Sequence, residues 1–383
     1  MSLATILKVA VAFCAVANVH GGFLSKRQCS GGLQPSYPAP NVASGWTAQL
    51  VANGITRARG LTIDSSGALL VAQSYSGVTR LTFTESGNCL SLASKTTVVS
   101  KNDLTHGIAL SANGTTLYAS SAEAVFAWPY NPTTGTSTGA ISTIINNMNN
   151  ADHISRTLTM SKKQPSQLIV SRGSNENVDA GTKDITSGRS QIRVFDLNAL
   201  PSGRAYNYAT EGRVLGWGLR NDVGVAEHPV TGGIWSVENS VDQLTRNGVD
   251  IHTDNPGEEL NYLGALSDPV PSKPPNYGYP DSHMAPLDLV FNANGTEAMV
   301  TFHGSWNRQP PIGYKFGTIK FANGEPTEPS TSTTALTDIL TMKSLTSCPS
   351  QCFQPVGLAV DSKGRVFMSS DTTGEIYVLQ KTA

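Results

Sequence analysis

Long apolar runs are missing from this 383-residue sequence beyond its N-terminal two dozen residues. No later stretch approaches the roughly 18 consecutive apolar residues of a membrane-spanning helix. Charged residues are also scarce, at 14%, and the formal net charge of −1 is spread without a block of either sign. These absences predict a chain that has neither a nucleic acid nor a membrane as its partner.

Heptads and long amphipathic stretches are absent as well, which leaves little that favours helices. What the sequence does contain is 36 Gly and 21 Pro, together with many Ser, Thr and Asn. Such a composition is typical of a turn-rich, extracellular β protein. Two N-x-T acceptor sites, at Asn113 and Asn294, fit glycosylated surface turns of a secreted glycoprotein.

The N-terminus is predicted to be a targeting segment. It combines a weakly basic start, an apolar stretch too short to span a membrane and small residues after it. The pair Lys26-Arg27 then resembles a propeptide processing site. We therefore expect residues 1–27 to be a secretory signal and propeptide. Residues 28–383 would form one mature, extracellular domain.

The number of cysteines agrees with a secreted, extracellular protein. Of five, Cys14 lies in the predicted signal, and the other four are Cys29, Cys89, Cys348 and Cys352. Four cysteines in a secreted chain imply two disulfides with three possible pairings. Cys348 and Cys352 are close enough in sequence to close a tight loop, which would leave Cys29 to Cys89. The spacings do not match a zinc site.

Six segments of the chain share one pattern. Each has a short apolar strand, a polar turn and a second apolar strand, which predicts a β-hairpin. The six begin at residues 60, 107, 157, 224, 288 and 357 and read GLTIDSSGALLVAQ, GIALSANGTTLYAS, TLTMSKKQPSQLIVS, GVAEHPVTGGIWSV, DLVFNANGTEAMVT and GLAVDSKGRVFMSS.

The spacing of these hairpins leaves room for four short strands in each repeat. Repeated all-β units of this length indicate a β-propeller in which each repeat is one blade, so we predict six blades. The innermost strand of a propeller blade runs along the central axis. Residues that precede the six hairpins should therefore converge at one end of that axis.

The residues just before the hairpins are rich in cationic and titratable side chains. Blade by blade they are Arg57 and Arg59; Thr105 and His106; Asp152, His153 and Arg156; Arg220 and Asn221; Asp281 and His283; and Gln354. Three of the six histidines in the predicted mature chain belong to this ring. Such groups are costly to gather in one pocket without an anionic ligand, so the ring predicts a ligand site.

The ring and the hairpins, taken with HGSWNR at 303–308 and NYGYP at 276–280, resemble the soluble glucose/sorbosone dehydrogenase family. The similarity extends over the whole predicted mature chain and is nearest to the fungal pyranose dehydrogenases that depend on pyrroloquinoline quinone (PQQ). Members are six-bladed propellers that hold PQQ at the axis. The resemblance therefore implies a PQQ-dependent sugar dehydrogenase.

The resemblance also implies roles for individual residues. Asp152 and His153 match the pair that supplies the catalytic base, and Arg220 and Asn221 match a pair that contacts the quinone. Cofactor contacts are further implied for Arg59, His106, His283 and Arg308. The family's calcium lies on backbone carbonyls after the fourth hairpin, which corresponds here to Asn239 and Ser240.

The chemistry of these residue types agrees with that assignment. PQQ carries three carboxylates and an ortho-quinone, which arginines and a divalent cation would hold. His153 would take the proton from the C1 hydroxyl of a pyranose or sugar-derived osone, with Asp152 orienting the imidazole. Arg220 would stabilise negative charge on the reduced quinone, and the product would be a lactone.

Two differences from the bacterial relatives bear on the sugar substrate. The sixth blade has FQPVG where bacterial relatives have arginines, and their long substrate-side insertions are missing, so the sugar is not determined. We expect a monomer and an external electron acceptor, either a redox protein such as a copper polysaccharide oxidase or cytochrome, or a quinone. A calcium-dependent propeller lactonase and a non-catalytic binding propeller are the alternatives.

Overall fold

The computed structural model describes residues 29, 32–148, 152–254, 257–268 and 282–382, and the backbone of 276–278. The chain divides into two compact units, Met1–Gly31 and Gly32–Ala383. The predicted signal and propeptide, and the positions Tyr279, Pro280 and Asp281, lie outside the described residues. In the first unit only Cys29 is described, and it is disulfide-bonded.

The second unit is a six-bladed β-propeller, as the hairpins predicted. It begins with β1 (Asn41–Val42) and β2 (Trp46–Ala52). Blade 1 contains β3 (Ala58–Ile63), β4 (Leu69–Gln73), β5 (Gly77–Ser86) and β6 (Cys89–Ser100). Blade 2 contains β7 (Leu104–Leu110), β8 (Thr116–Ser121), β9 (Val125–Asn131), β10 (Thr136–Ser137) and β11 (Ser142–Asn146).

Blades 3 and 4 follow in the same order. Blade 3 contains β12 (Leu158–Met160), β13 (Gln167–Arg172), β14 (Gln191–Asp196) and β16 (Arg213–Trp217), while β15 (Tyr206–Asn207) pairs in parallel with β11 of blade 2. Blade 4 contains β17 (Asp222–Glu227), β18 (Gly233–Glu238), β21 (Glu259–Ala265) and β22 (Asn276–Gly278), with the small hairpin β19 (Thr245–Arg246) and β20 (Val249–Asp250) inserted.

Blades 5 and 6 complete the circle. Blade 5 contains β23 (Pro286–Phe291), β24 (Glu297–Phe302), β25 (Lys315–Ala322), β26 (Glu325–Pro326) and β27 (Leu336–Thr341), and β1 pairs with β27. Blade 6 contains β28 (Pro355–Val360), β29 (Val366–Ser370) and β30 (Glu375–Lys381). Its fourth strand is β2, so strands from both ends of this unit close the propeller.

The first strands of the blades contact one another in a closed ring, from β3 through β7, β12, β17, β23 and β28 back to β3. Each predicted hairpin supplies the first two strands of its blade. Five of the six turns place a glycine in the left-handed conformation that glycine adopts without strain. These are Gly67, Gly114, Gly232, Gly295 and Gly364.

Apolar side chains from facing blades form the core. Between blades 4 and 5, the buried Trp235 packs edge-on against Phe321, with ring centroids 5.1 Å apart. His228 lies in the same layer: it is 2% exposed, and its Nε2 is 2.9 Å from the Gly295 carbonyl. The imidazole also packs edge-on against Phe291, with ring centroids 4.9 Å apart.

The predicted Cys348–Cys352 disulfide is confirmed, and Cys89, like Cys29, is disulfide-bonded. Asn113 and Asn294 lie in exposed hairpin turns. Among the described residues, the helices are four short 3₁₀ turns, at Ala180–Lys183, Ile185–Ser187, Leu197–Ala199 and His252–Asp254. None of these is long and apolar enough to cross a membrane.

Candidate active site at the propeller axis

Residues before the first strand and after the second strand of a hairpin lie at the same end of a blade, because the strands are antiparallel. Thus Ala58 pairs with Gln73 in blade 1, and Pro355 pairs with Ser370 in blade 6. The predicted ring used only the positions that precede the first strands. The structure adds the positions that follow the second strands.

Asp371, which follows β29, is the clearest addition. One carboxylate oxygen is 2.7 Å from Arg59 Nη1, and the other is 3.0 Å from His303 Nε2. Burial opposes ionisation of this carboxyl, yet His303 and Arg59 hold its pKa well below the usual range. Asp371 therefore joins blades 1, 5 and 6 as an anion. Asp371 is not among the residues predicted from the sequence, although its position directly after the last hairpin was a usable signal.

A cavity of about 570 Å³ opens beside this ion pair. Its lining residues come from blades 1, 2, 3 and 6, and they are Thr56, Arg57, Arg59, Ser74, Tyr75, Thr105, Ile154, Ser155, Asp371 and Thr372. Arg57 and Tyr75 both have left-handed backbone conformations, which are uncommon for such side chains. A volume of this size is typical of small-molecule sites.

His106 lies close to the same ion pair but is buried. Its side chain is not hydrogen-bonded through Nδ1 within the described part of the chain. Burial and the neighbouring Arg59 lower the pKa of His106 well below its usual value. The imidazole is therefore neutral, and it leaves one polar atom available to a ligand.

His153 is held by Ser174, which follows β13. Its Nδ1 is 3.0 Å from the Ser174 carbonyl oxygen and 2.9 Å from Ser174 Oγ, while that hydroxyl donates to the Glu176 carbonyl. A carbonyl accepts only, so Nδ1 carries the proton and Nε2 of the neutral ring is a free base. Burial and Arg220 lower the pKa of His153, which favours this neutral form.

Asp152 does not orient the imidazole as the sequence predicted. Its carboxylate is 63% exposed and lies 4.0 Å from His153 Nε2, beyond hydrogen-bond distance. The orienting position at Nδ1 is already taken by Ser174. Asp152 acts on the ring only through its charge, which raises the pKa of His153.

Arg220 is fixed by a network of acceptors. Its guanidinium donates to the carbonyls of Asn177 and Asn239, both at 3.0 Å, and to Asn177 Oδ1 at 2.8 Å. Asp242 lies 3.7 Å from Nη2. The next residue, Asn221, has a buried Oδ1 without a hydrogen-bond partner among the described residues. Asn177 and Asp242 were not identified from the sequence.

His283 carries the opposite protonation state to His153. Its Nδ1 is 3.0 Å from Asp242 Oδ1, and its Nε2 donates to the His252 carbonyl. Both acceptors require N–H donors, so the ring is an imidazolium. The hydrogen bond with Asp242 raises the pKa of His283. His252 thus contributes its carbonyl to this site.

The HGSWNR segment, 303–308, forms the edge of the site next to blade 5. Arg308 donates to the Ser282 carbonyl at 3.1 Å and pairs with Asp254 at 3.2 Å, while its Nε lacks a partner within the described ranges. Asn307 donates to Asp242 Oδ1 at 3.3 Å. Trp306 is 69% exposed, so its side chain does not pack inside a blade.

The predicted metal position near Asn239 and Ser240 is built from backbone. The Asn239 carbonyl already accepts from Arg220, and the Ser240 N–H donates to the buried carboxyl of Glu258 at 3.1 Å. Burial raises the pKa of Glu258 to about 7. No group of three His, Cys, Asp or Glu side chains able to hold a metal occurs among the residues that the structure describes.

These features define a six-bladed propeller with a candidate ligand site, rich in polar groups, at one end of its axis. A family model described as TrAA12-like matches residues 40–282 and 281–382. The chain belongs to this family.

Relatives and solved structures agree with the assignment. A pyrroloquinoline quinone-dependent sugar dehydrogenase from Hypocrea jecorina is 42% identical, over 95% of both chains. A pyrroloquinoline quinone-dependent pyranose dehydrogenase from Coprinopsis cinerea is 36% identical. The matched region covers 92% of this chain and 56% of that protein.

The calcium structure of Trichoderma reesei Carbohydrate-Active Enzymes Family AA12 superposes with a TM-score of 0.88 at 42% identity, covering 92% of this chain and 100% of that one. The holo form of the pyranose dehydrogenase PQQ domain from Coprinopsis cinerea gives a TM-score of 0.84 at 35% identity, covering 92% and 99%.

Proposed function

We propose that this protein is a secreted, PQQ-dependent dehydrogenase that oxidises the C1 hydroxyl of a pyranose sugar or sugar-derived osone. The observation that carries the proposal is the His153 imidazole, neutral and with Nε2 free. The named activities of the relatives supply the substrate class. Electrons would leave to an external acceptor, either a redox protein or a quinone, and the protein would act as a monomer.

The residues of the ring fit PQQ. At the candidate site, four buried polar atoms lack partners among the described residues, which suits a ligand that offers both donors and acceptors: His106 Nδ1, Asn221 Oδ1, Asn307 Oδ1 and Arg308 Nε. Arg59, Arg220 and Arg308, with the His283 imidazolium, would pair with the cofactor's carboxylates. When bound, PQQ supplies the ortho-quinone that accepts the hydride.

The protein's own contribution is proton removal and charge stabilisation. His153 Nε2 accepts the proton of the C1 hydroxyl, while the Ser174 carbonyl stabilises the imidazolium that forms. Arg220 would stabilise negative charge on the reduced quinone. Its contacts with Asn177 and Asp242 keep the guanidinium in place. Oxidation of a cyclic sugar at C1 gives a lactone.

A calcium ion near Asn239 and Ser240 is part of the proposal. Carbonyl oxygens are suitable ligands for calcium, and each has a second lone pair after one hydrogen bond. The ionised form of Glu258, beneath the Ser240 N–H, would add favourable negative charge. When bound, the cation would supply positive charge beside the negatively charged cofactor.

The decisive experiment titrates the cofactor-free protein with PQQ in calcium and then tests aldoses with an artificial electron acceptor. We expect a saturable change in the quinone absorption and lactone formation that depends on PQQ. Lactone hydrolysis without PQQ would instead support the lactonase alternative. Saturable sugar binding without turnover would support a binding propeller.

A further inference from the structure

A second cluster of polar side chains lies inside blade 4, beneath the strand ends that carry Arg220 and Asn221. Asp222 is 3% exposed, and it is the first residue of β17. Ser236 and Glu238 lie on β18, and Asn261 lies on β21. The candidate active site uses none of these four side chains.

The sheet register brings the four residues together. Asp222 is paired with Glu238, and Ser236 is paired with Asn261. Directly paired residues in an antiparallel sheet project to the same face, as do residues two apart on one strand. Asn261 Nδ2 donates to Glu238 Oε2 at 3.0 Å, which confirms that the two pairs are in contact.

Several oxygens of this cluster lack a hydrogen-bond partner of good geometry, although Ser236 and Asn261 lie close enough to Asp222 to act on its carboxyl. Both carboxylate oxygens of Asp222, Ser236 Oγ and Asn261 Oδ1 are buried without a partner among the residues that the structure describes. These three side chains are at most 3% exposed. Glu238 accepts from the Arg220 backbone N–H at 2.7 Å as well as from Asn261.

Among the described residues, neither Asp222 nor Glu238 forms an ion pair with a Lys or Arg side chain, although the charge of Arg220 acts on Glu238. Arg220 directs its guanidinium to Asn177, Asn239 and Asp242 instead. Two adjacent buried carboxylates are unfavourable, and a divalent cation would neutralise both charges.

We propose that Asp222, Glu238, Ser236 and Asn261 form a structural calcium site inside blade 4. The donors are all oxygen: two carboxylates, one amide carbonyl and one hydroxyl. Calcium prefers oxygen donors of these types, and each carboxylate can contribute both of its oxygens. Because Glu238 also holds the Arg220 backbone N–H, the ion would stabilise the strand end from which Arg220 and Asn221 project.

The test uses full-length protein without PQQ, stripped with chelator and titrated with calcium alone by calorimetry. We expect one tight calcium in the wild type and a rise in melting temperature on addition of calcium. Asp222→Asn should lose that calcium and the thermal shift. Ser236→Ala should weaken calcium binding by at least about ten-fold, the loss typical even of outer-shell partners.

Asp288→Asn is the matched control. Asp288 is also a buried carboxyl, and burial raises its pKa to about 7. Its oxygens, however, accept from the N–H groups of Leu358 at 2.6 Å and Leu289 at 2.8 Å. Calcium binding should be unchanged in this variant. Equal calcium stoichiometry and affinity in wild type, Asp222→Asn and Ser236→Ala would overturn the proposal, and so would a wild type that binds no calcium.

Discussion

The His153 imidazole is tied to Ser174 through Nδ1, at 3.0 Å from the backbone carbonyl and 2.9 Å from the hydroxyl. This relationship determines the tautomer, because only a protonated Nδ1 can donate to a carbonyl. It therefore decides which nitrogen is available for chemistry. Asp152, the sequence neighbour, does not take part in that choice.

Replacing His153 tests the proposed base. His153→Ala and His153→Gln should both bind PQQ but lower kcat by roughly 10²–10⁴, the usual contribution of a general base. The glutamine amide can still donate to Ser174, so it separates loss of the base from loss of packing. Stopped-flow or steady-state rates with a saturating sugar provide the measurement. A near-normal kcat in either variant would exclude His153 as the base.

The pH profile should respond in opposite directions to two charge changes. Activity should rise with pH as His153 loses its proton. The midpoint of this rise should lie below the ordinary histidine pKa of about 6.5, because burial and Arg220 lower the pKa of His153. Asp152→Asn should move that limb to lower pH, since the Asp152 charge raises this pKa. Arg220→Gln should move it to higher pH, because a charge that lowers the pKa is removed.

These two variants should also differ in cofactor affinity. Arg220→Gln should bind PQQ more weakly, whereas Asp152→Asn should leave plateau kcat within about three-fold because Asp152 is an exposed charge. Rates measured between pH 4.5 and 8, together with a PQQ titration at each end, make the comparison. Shifts of the two limbs in the same direction would contradict the assignment to His153.

Asp371 should stabilise the propeller by joining three blades. Asp371→Asn should lower the free energy of unfolding at pH 7 by about 1–3 kcal/mol, because it weakens hydrogen bonds to Arg59 and His303 that involve charge. Since the pKa of Asp371 is lowered in the folded protein, this contribution is complete above the unfolded-state value of about 3.9 and declines at lower pH.

A surface ion pair provides the control for Asp371. Asp338 is 47% exposed and lies 2.9 Å from Lys315. Asp338→Asn should change stability by no more than about 1 kcal/mol. Denaturant unfolding of the PQQ-free variants measures both effects. Equal losses in the two variants would mean that the three-blade contact of Asp371 contributes nothing beyond an ordinary ion pair.

Calcium removal tests the proposed cation near Asn239 and Ser240. Chelation should weaken PQQ binding by at least about ten-fold, comparable to other perturbations of metal-supported sites. The Asp222→Asn variant should keep this calcium dependence, since the backbone carbonyls remain in place. PQQ affinity that is identical with and without chelator, in protein shown to be free of calcium, would remove the metal from the cofactor site.

The six-bladed architecture could be derived from the sequence because its signals are local. A hairpin such as Gly60–Gln73 contains its own apolar alternation and its own turn glycine, Gly67, so neighbouring residues are enough to specify it. The residues of the predicted ring were located from the same hairpins, since each precedes one of them. They converge if consecutive blades surround one axis, and the contacts among the first strands show that the blades do so.

The pairing within the site was decided by tertiary structure. Asp371 is 312 residues from Arg59, and Asp242 is 41 residues from His283, so no local pattern connects either pair. The same holds for burial: His228 is enclosed by aromatic rings from blade 5, whereas Trp306 is exposed. Local sequence specifies strands and turns, but hydrogen-bond partners, tautomers and pKa shifts depend on which blades pack together.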